Sequence, residues 1–216
     1  MPHVAGPALA HLREETAALH QQAERHVRIL DPDATDTTYA RYLARMYGFH
    51  VPMEDLFARD RVLTAAGFDP LGRRKRALLA RDLDALGVDA RALPLCAALP
   101  SIVTAGDAPG AIGAAYVIEG STLGGAFILA RMRARLGHLI GRATAFLDGY
   151  GPETGARWKA FVALAERLLV EREARAAAAA SARATFAALI AWLDERAADP
   201  PHPHRGLGRR VQEARG

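Results

Sequence analysis

The sequence predicts an all-α, single-domain protein, and three observations lead to that fold class. Apolar residues recur at spacings of three and four along most of the chain, as on the buried face of a helix. No run alternates apolar and polar residues in the way a half-buried strand does. The 216 residues, 50% of them hydrophobic, fit one domain with a large core. We expect that domain to cover residues 1–198 and the tail 199–216, rich in Pro, Gly and Arg, to be mobile.

Three helices are expected in the first half of the chain. The first begins after Pro7 and ends at the loop DPDATD, residues 31–36, whose Asp and Thr residues can cap the next helix. The second covers residues 38–66 and contains Pro52, which predicts a kink. The third covers residues 73–86 and is followed by a glycine.

The second half predicts a long fourth helix and a set of shorter ones. The fourth covers residues 110–136 and ends at a glycine. Further helices are expected at 141–149, 152–172 and 173–197, the last two being either separate or continuous through an alanine-rich stretch.

The fourth helix contains an apolar run, residues 111–130, that is nearly long enough to cross a bilayer. Glu119, Ser121 and Thr122 lie at its centre, where a membrane span would carry a high energetic penalty for them. We therefore predict a helix buried in a protein core, and no membrane partner.

The composition narrows the environment and the partners. Cys96 is the only cysteine, which excludes an internal disulfide and the common Cys-based zinc sites, and the N-terminus lacks a secretory pattern. We expect a cytoplasmic protein. The net charge is +4, but the arginines are interleaved with acids, so we expect no nucleic-acid partner. The alternative is a basic face that docks an acidic protein or holds a carboxylated ligand.

The fourth helix carries the sequence YVIEGSTLGG, which places three glycines inside a helix. Each glycine costs about 0.8–1 kcal/mol relative to alanine, so Gly120, Gly124 and Gly125 indicate that backbone must stay bare. A flat macrocycle and a small gas molecule could then approach the main chain. Close helix–helix packing remains the alternative. A phosphate-binding loop is disfavoured, because neither a preceding strand nor a GK[ST] ending is present.

The first helix carries the sequence LREETAALHQQAE. His20 lies at the border of the apolar face, and Glu24, one turn later, can hold the ring nitrogen that a metal does not use. Arg13 lies about two turns, roughly 10 Å, before His20 on nearly the same face. An axial imidazole and a guanidinium at that separation match the iron and propionates of a haem. A histidine of the surface or of the core is the alternative.

These segments resemble the haem oxygenases, and the glycine motif is similar to the distal-helix motif of the bacterial branch, which includes enzymes that supply bilin to phytochromes. The resemblance extends to YARYLARMYGFHVPMED and YGPETGARWKAF. It implies a haem between the first and fourth helices, with His20 as the axial ligand of the iron and Glu24 as its partner. The residues that it assigns to the distal side, where oxygen is directed to a meso carbon, are Gly120, Ser121, Gly124 and Gly125.

The resemblance also implies propionate ligands and a reaction. Arg13 and Tyr116 match propionate-holding positions, and Lys159 is a weaker candidate for the same role. The implied reaction uses O2 and external electrons to open haem, which is both substrate and cofactor, to biliverdin, ferrous iron and carbon monoxide. Ser121 stands where the animal enzymes have an aspartate, so water must be organised by other groups.

The implied partners are an electron donor and a bilin acceptor. The chain has no nicotinamide-binding fingerprint, so electrons must come from another protein. Arg131, Arg133 and Arg135 favour an acidic donor such as a ferredoxin or a flavodoxin-like protein. A bilin-accepting phytochrome is the partner expected to take the product.

Two other functions remain open from the sequence. A non-haem di-metal oxidase could use the pairs His20/Glu24 and His50/Glu54 together with Glu119, although the Glu-x-x-His spacing of bundle di-iron sites does not occur in the chain. A haem carrier or sensor would bind the same group without degrading it.

Overall fold

The computed structural model describes residues 6–194, and its described part contains eight α-helices and no strand. The helices are α1 (Pro7–Arg25), α2 (Asp36–Arg59), α3 (Arg61–Ala65), α4 (Arg76–Ala85), α5 (Ala108–Leu136), α6 (Ala145–Asp148), α7 (Thr154–Leu168) and α8 (Arg172–Asp194). Short 3-10 turns cover Arg28–Leu30, Ala90–Ala92, Leu99–Ser101, Gly137–Leu139 and Gly151–Glu153. The all-α prediction is confirmed. The predicted tail 199–216 lies outside the described residues.

Helix α5 is the centre of the bundle and packs closely on α8, which in turn packs on α1. The closest approach is at Gly113, which is buried: a Cβ added there would lie 2.0 Å from the carbonyl oxygen of Ala178. The main chains of α5 and α8 therefore touch at this glycine, because no side chain separates them. Close packing of the two helices is thus the reason for this glycine, which lies three residues before the sequence YVIEGSTLGG.

Two helical stretches are long and apolar enough to cross a membrane by length and composition. They are Ala108–Leu139, which is α5 with the following turn, and α8. These two stretches pack against each other, and 56% and 44% of their most apolar windows are buried inside the bundle. Their apolar character is accounted for by the core that they form, as predicted for residues 111–130.

The N-terminus of α1, which carries the predicted histidine, is held by a residue from α7. The carboxylate of Glu166 accepts hydrogen bonds from the backbone N–H groups of Ala8 (3.1 Å) and Leu9 (3.0 Å). A carboxylate at this end satisfies two of the unpaired N–H groups of the first turn and interacts favourably with the helix dipole. The start of α1 is thereby tied to the bundle.

The predicted second helix is two helices. Helix α2 continues through Pro52 and ends at Arg59, and Asp60 then caps α3 by accepting a hydrogen bond from Leu63 N at 2.9 Å. The expectation of one helix over 38–66 is therefore wrong. Asp60 has an extended backbone and its side chain replaces the next intrahelical bond, which starts a new helix.

The predicted helices 141–149 and 152–172 are shorter in the structure, and the predicted end of the last helix at 197 lies outside the described residues. The predicted helix 141–149 is reduced to α6, whose first N–H groups are capped by the buried Asp82 through Ala145 (2.9 Å) and Phe146 (2.8 Å). Helices α7 and α8 are separate: the guanidinium of Arg175 donates to the carbonyl oxygen of Leu169 at 3.2 Å and so satisfies a carbonyl at the end of α7.

Candidate functional site

A cavity of about 830 Å³ opens between α1 and α5, and residues of α2, α7 and α8 complete its walls. Its volume is in the range of small-molecule sites. The cavity is lined by both segments that the sequence had singled out, the histidine-bearing α1 and the glycine-bearing α5. The two predicted motifs are therefore brought together in space.

The wall contributed by α1 carries three of the predicted residues: Arg13, His20 and Glu24. Thr16 and Ala17, which also line the cavity, separate Arg13 from His20. The Thr16 hydroxyl donates to the carbonyl oxygen of Leu12 at 2.6 Å and is thereby turned back onto its own helix. No side chain therefore projects far into the cavity between the guanidinium of Arg13 and the imidazole of His20.

The imidazole of His20 is oriented by two neighbours. Its Nδ1 lies 3.6 Å from Oε1 of Glu24, and its ring meets the ring of Phe186 edge to face with centroids 5.8 Å apart. Nε2 has no hydrogen-bond partner among the described residues. The side chain is 55% exposed, so this nitrogen is available to a ligand in the cavity.

The wall contributed by α5 is bare backbone. Gly120 and Gly124 both line the cavity, and a Cβ added to either one would have no atom within 4 Å outside its own helix. Neither glycine is therefore required by helix–helix packing. This observation excludes the packing alternative for these two positions, and the bare backbone lies open to the cavity.

Gly125 lies in a different environment from Gly120 and Gly124. It is buried, and a Cβ added to it would lie 1.9 Å from the carbonyl oxygen of Leu147. It does not line the cavity. Gly125 lets the main chain of α6 approach α5, whereas its neighbour Gly124 faces the open space.

Ser121 lines the cavity, and its hydroxyl donates to the carbonyl oxygen of Ile118 at 2.7 Å. The hydroxyl proton is therefore used within α5, and the oxygen keeps lone pairs that can accept a hydrogen bond from a molecule in the cavity. Ser121 can thus receive a hydrogen bond there while its own proton stays with α5.

Two large apolar side chains of α5 continue the same wall and are unusually exposed. Leu123 is 43% exposed and Phe127 is 56% exposed, and both line the cavity. The guanidinium carbon of Arg131 lies 4.6 Å from the centroid of the Phe127 ring. Exposed apolar groups beside a cavity indicate that a ligand with an apolar surface covers them.

Tyr116 and Lys159 are placed differently. Tyr116 is buried and lines the cavity, with its ring 6.2 Å from the ring of Trp158. Lys159 is exposed and is not among the cavity residues, although its neighbour Trp158 is. Adjacent residues on a helix point about 100° apart, so α7 can direct only one of this pair inward. Lys159 is therefore placed outside the cavity lining, next to a residue that belongs to it.

The sequence analysis missed the aromatic and aliphatic side chains that α7 and α8 contribute. Besides Trp158 these are Phe186, Leu189 and Leu193, which lie at helical spacing on one face of α8. That spacing was visible in the sequence, but it predicts only a buried face. Whether such a face meets a core or a cavity depends on what packs opposite.

The structure does not bring together the residues of a di-metal site. In the part of the chain from 6 to 194, no group of three His, Cys, Asp or Glu side chains could hold a metal ion. His20 and Glu24 line the cavity, whereas Glu119 does not and is instead bonded to Arg73 and Tyr150. The pairs proposed for two metal ions are therefore on different surfaces.

Comparison with known proteins decides the family. The family model described as "Heme oxygenase" matches residues 7–195, which is most of the chain. The chain belongs to the haem oxygenase family. It is 34% identical over 150 residues to a heme oxygenase of Xanthomonas campestris pv. campestris (strain 8004), covering 69% of this chain and 85% of that protein.

A solved structure shows the same fold. The NO- and CO-bound heme oxygenase from Neisseria meningitidis superposes on this haem oxygenase with a TM-score of 0.69 and 25% sequence identity, covering 88% of this chain and 95% of that one. The resemblance on which the sequence analysis relied is confirmed by these findings. The chain is a haem oxygenase with an all-α fold.

The cavity of this haem oxygenase has the features that a haem requires. An unpaired imidazole nitrogen faces it from α1, bare backbone faces it from α5, and exposed apolar side chains surround both. A guanidinium is available two turns from the imidazole, at Arg13. The residues present therefore fit an iron tetrapyrrole with carboxylate substituents.

Proposed function

We propose that this haem oxygenase binds haem in the cavity between α1 and α5 and converts it, with O2 and external electrons, to biliverdin, ferrous iron and carbon monoxide. The observation that carries the proposal is that His20 and the two bare glycines, Gly120 and Gly124, line one cavity from two different helices. Haem supplies both the redox-active iron and the macrocycle that is opened. The protein supplies binding, orientation and control of water.

His20 is the proposed axial ligand, through Nε2. The carboxylate of Glu24, 3.6 Å from Nδ1, favours a proton on Nδ1, which would leave the lone pair of Nε2 for the iron. The edge-to-face contact with Phe186 limits rotation of the ring. Glu24 and Phe186 together hold the imidazole in one orientation.

Gly120, Ser121 and Gly124 are the proposed distal wall. Without side chains at positions 120 and 124, the macrocycle can lie close to the main chain, and little space is left for bulk water. The Ser121 oxygen is an acceptor that can orient a water molecule at this wall. It carries no charge, so orientation of that water depends on dipoles and not on a carboxylate.

Arg13 and Tyr116 are the proposed ligands of the propionates. A guanidinium can bind a carboxylate with two parallel hydrogen bonds, and a phenol can donate one more. Both side chains line the cavity, whereas Lys159 is exposed and lies outside its lining. The support for Arg13 and Tyr116 is therefore stronger than for Lys159.

The proposed electron donor is an acidic protein, such as a ferredoxin or a flavodoxin-like protein, that docks near Phe127. Arg131, Arg133 and Arg135 are exposed, and no acidic side chain in the described part of the chain pairs with them. Arg131 also contacts Phe127, which lines the cavity. A basic surface beside the cavity would attract an acidic donor and shorten the path of the electron.

We further propose a cytoplasmic location and a bilin-accepting phytochrome as a recipient of the product. The location is supported by a composition with Cys96 as the only cysteine, which is compatible with a reducing compartment. The recipient is supported by the resemblance of the glycine motif to that of enzymes that supply bilin to phytochromes.

Addition of hemin to the purified protein, followed by a reductant under air, tests the proposed reaction. We expect a sharp Soret band that decays to a bilin spectrum. A haem carrier or sensor would give a band that persists, and a protein without a haem site would give no band. His20→Ala should remove the spectral signature of the axial imidazole, whereas His11→Ala, on the same helix but outside the cavity lining, should not.

A further inference from the structure

A buried polar cluster lies behind the glycine-rich turn of α5, and none of its members lines the cavity. We call it the Glu119 cluster. Its members come from the segment before α4, from α5 and from the segment after α6, and they are Arg73, Lys75, Glu119 and Tyr150. Four ionisable groups at one buried place are more than the stability of a helical core requires.

Glu119 connects this cluster to the cavity wall, because it directly precedes Gly120. Its side chain is 2% exposed. Oε1 accepts a hydrogen bond from the Tyr150 hydroxyl at 2.9 Å, and Oε2 accepts one from the guanidinium of Arg73. The carboxylate is thus held from two directions by residues outside α5.

The position of the glycine-rich turn depends on this rear face. On the cavity side nothing lies within 4 Å of a Cβ added to Gly120 or Gly124, so no side-chain packing holds the turn from that direction. On the rear side the turn is held by the bonds of Glu119 and by the contact of Gly125 with the Leu147 carbonyl. A change in the bonds of Glu119 is therefore transmitted to the cavity wall.

Lys75 lies against the other side of Tyr150. It is 1% exposed, and its Nζ lies 2.8 Å from the centroid of the Tyr150 ring. No described residue accepts a hydrogen bond from Nζ. Nζ also adjoins the turn at Gly149, where an added Cβ would lie 3.9 Å from it and 3.8 Å from Cβ of Thr122 on α5. Burial without a hydrogen-bond acceptor weakens the preference of a lysine amine for its charged form.

Charged and titratable groups face Lys75 from all sides of this packing. These groups come from α2, from the segment before α4, from α5 and from α7, and the Tyr150 ring lies beneath Nζ. They are His50, Glu54, Arg73, Glu119 and Arg157. Burial lowers the pKa of Lys75 to about 7; Glu119 and Glu54 oppose this effect, and Arg157 and Arg73 add to it. Burial, with the nearby Lys75, lowers the pKa of His50 to about 3, so His50 is neutral whenever Lys75 titrates.

We propose that Lys75 is a proton-sensitive positioning residue: acting through Tyr150 and Glu119, its charge sets the position of the Gly120–Gly124 wall. When Nζ is charged, it attracts the face of the Tyr150 ring and the carboxylate of Glu119. When Nζ is neutral, both attractions are lost, and Glu119 is held by Arg73 and the Tyr150 hydroxyl alone. The consequence for haem rests on the proposed function, whereas the movement of the wall does not.

The chain is suited to a direct test, because Lys75 and Lys159 are its only lysines. Protein without haem, labelled with 13C at the lysine ε-carbons, should give two lysine signals in NMR spectra. We expect the signal of Lys75 to titrate near pH 7, and the signal of the exposed Lys159 serves as the reference. In 15N-labelled protein, the amide signals of Gly120 and Gly124 should shift with the same midpoint as Lys75.

Matched variants separate Lys75 from other groups that titrate near the cavity. Lys75→Met should remove the shift of the glycine amides, and Lys159→Met should leave it unchanged. His20→Ala should also leave it, which distinguishes Lys75 from the imidazole of the cavity. In Tyr150→Phe the Lys75 signal should still titrate while the glycine amides respond at least several-fold less, because the hydrogen bond to Glu119 is missing.

Two results would overturn the inference. One is a Lys75 signal that shows no titration between pH 6 and pH 8. The other is a Lys75 that titrates near neutrality while the amides of Gly120 and Gly124 do not follow it. If Lys75→Met does not fold, the titrations of the wild type and of the Tyr150→Phe and His20→Ala variants still test the inference.

Hemin dissociation provides the second readout. We expect the ratio of the dissociation rates of Lys75→Met and wild type to change several-fold between pH 6 and pH 8. A ratio that stays constant across this range would contradict the link between Lys75 and haem. A wild type that binds no hemin would refute the proposed function, whereas the NMR titration would still decide the role of Lys75.

Discussion

Nδ1 of His20 lies 3.6 Å from Oε1 of Glu24, one helical turn away on α1, and both residues line the cavity. An i, i+4 pair of this kind is set by the helix itself, since side chains four residues apart share a face. The carboxylate of Glu24 therefore lies next to the imidazole of His20 as long as α1 is helical. Its importance can be measured by removing its charge without changing its shape.

Glu24→Gln should weaken hemin binding by roughly 10- to 100-fold, because the amide holds the Nδ1 proton less strongly and lowers the basicity of Nε2. The measurement is the dissociation constant for hemin, together with the iron–imidazole stretching frequency of the ferrous complex, which should fall. Glu14→Gln, on the exposed side of the same helix, is the control. An unchanged stretching frequency in Glu24→Gln would mean that Glu24 does not act on the ligand.

Gly124→Ala and Gly125→Ala should have opposite effects on the stability of the protein without haem. Gly124→Ala places a methyl group in open space and should raise the free energy of unfolding by up to about 1 kcal/mol. Gly125→Ala places one 1.9 Å from the Leu147 oxygen, so α6 must move and stability should fall by about 1–3 kcal/mol. Chemical denaturation measures both values. Equal effects would contradict the different roles of the two glycines.

The same pair separates stability from haem binding. Gly124→Ala should weaken hemin binding although it stabilises the fold, because the methyl group enters the space next to the macrocycle. Hemin titration at one temperature measures this effect. A Gly124→Ala protein that binds hemin as tightly as the wild type would place the macrocycle away from this turn.

His50 should steepen the fall of the free energy of unfolding at acid pH. His50 is fully buried, its ring nitrogens have no hydrogen-bond partner among the described residues, and its pKa is lowered to about 3. The unfolded state therefore binds one more proton between about pH 6.5 and pH 3, so stability falls as the pH is lowered, by about 1.4 kcal/mol for each pH unit. His50→Leu should flatten this limb, as measured by urea denaturation at several pH values, whereas His11→Leu should not.

The alkaline side should show the effect of Lys75. Its pKa is lowered to about 7 in the folded protein, so between about pH 7 and pH 10.5 the unfolded state binds more protons and stability rises with pH. Above about pH 10 the raised pKa values of the buried Tyr39 and the half-buried Tyr42 and Tyr150 reverse the trend, because only the unfolded state ionises. Lys75→Met should lack the rise, whereas Lys159→Met should retain it. A rise in both variants would assign it to other groups.

The proposed donor surface predicts a charge-dependent effect on turnover. Arg133→Glu should raise the KM for an acidic ferredoxin several-fold at low ionic strength, with kcat at saturating donor preserved, because the charge acts on encounter. Arg61→Glu, an exposed residue of α3 with the same change in net charge, is the control. The difference between the two variants should disappear at molar salt. Turnover of the wild type that is indifferent to salt would contradict electrostatic docking.

Much of the fold was predictable because the start, end and faces of a helix depend on residues close together in the sequence. The start of α1 at Pro7 and the end of α5 at Leu136 follow from proline, glycine and apolar spacing. The break at Asp60 was not predictable in the same way, because an aspartate can cap a new helix or lie within a continuous one, and the sequence looks the same in both cases. The separation of α7 from α8 depends on Arg175 reaching a carbonyl six residues away.

The candidate site shows the same division. The pair of His20 and Glu24 and the common face of Gly120 and Gly124 follow from the 3.6-residue period of one helix, since positions four residues apart keep their relation in any fold. The family resemblance rested on these local patterns and is confirmed. What the sequence determined by itself is therefore the content of each helical face.

Only the tertiary structure decided what each face meets. Gly125 contacts the Leu147 carbonyl, Phe186 reaches the ring of His20, and Lys75 is buried over Tyr150, although nothing in their own segments distinguishes them from surface or packing residues. The physical reason is that burial, desolvation and close approach are properties of pairs of elements distant in sequence. They arise only when the helices pack.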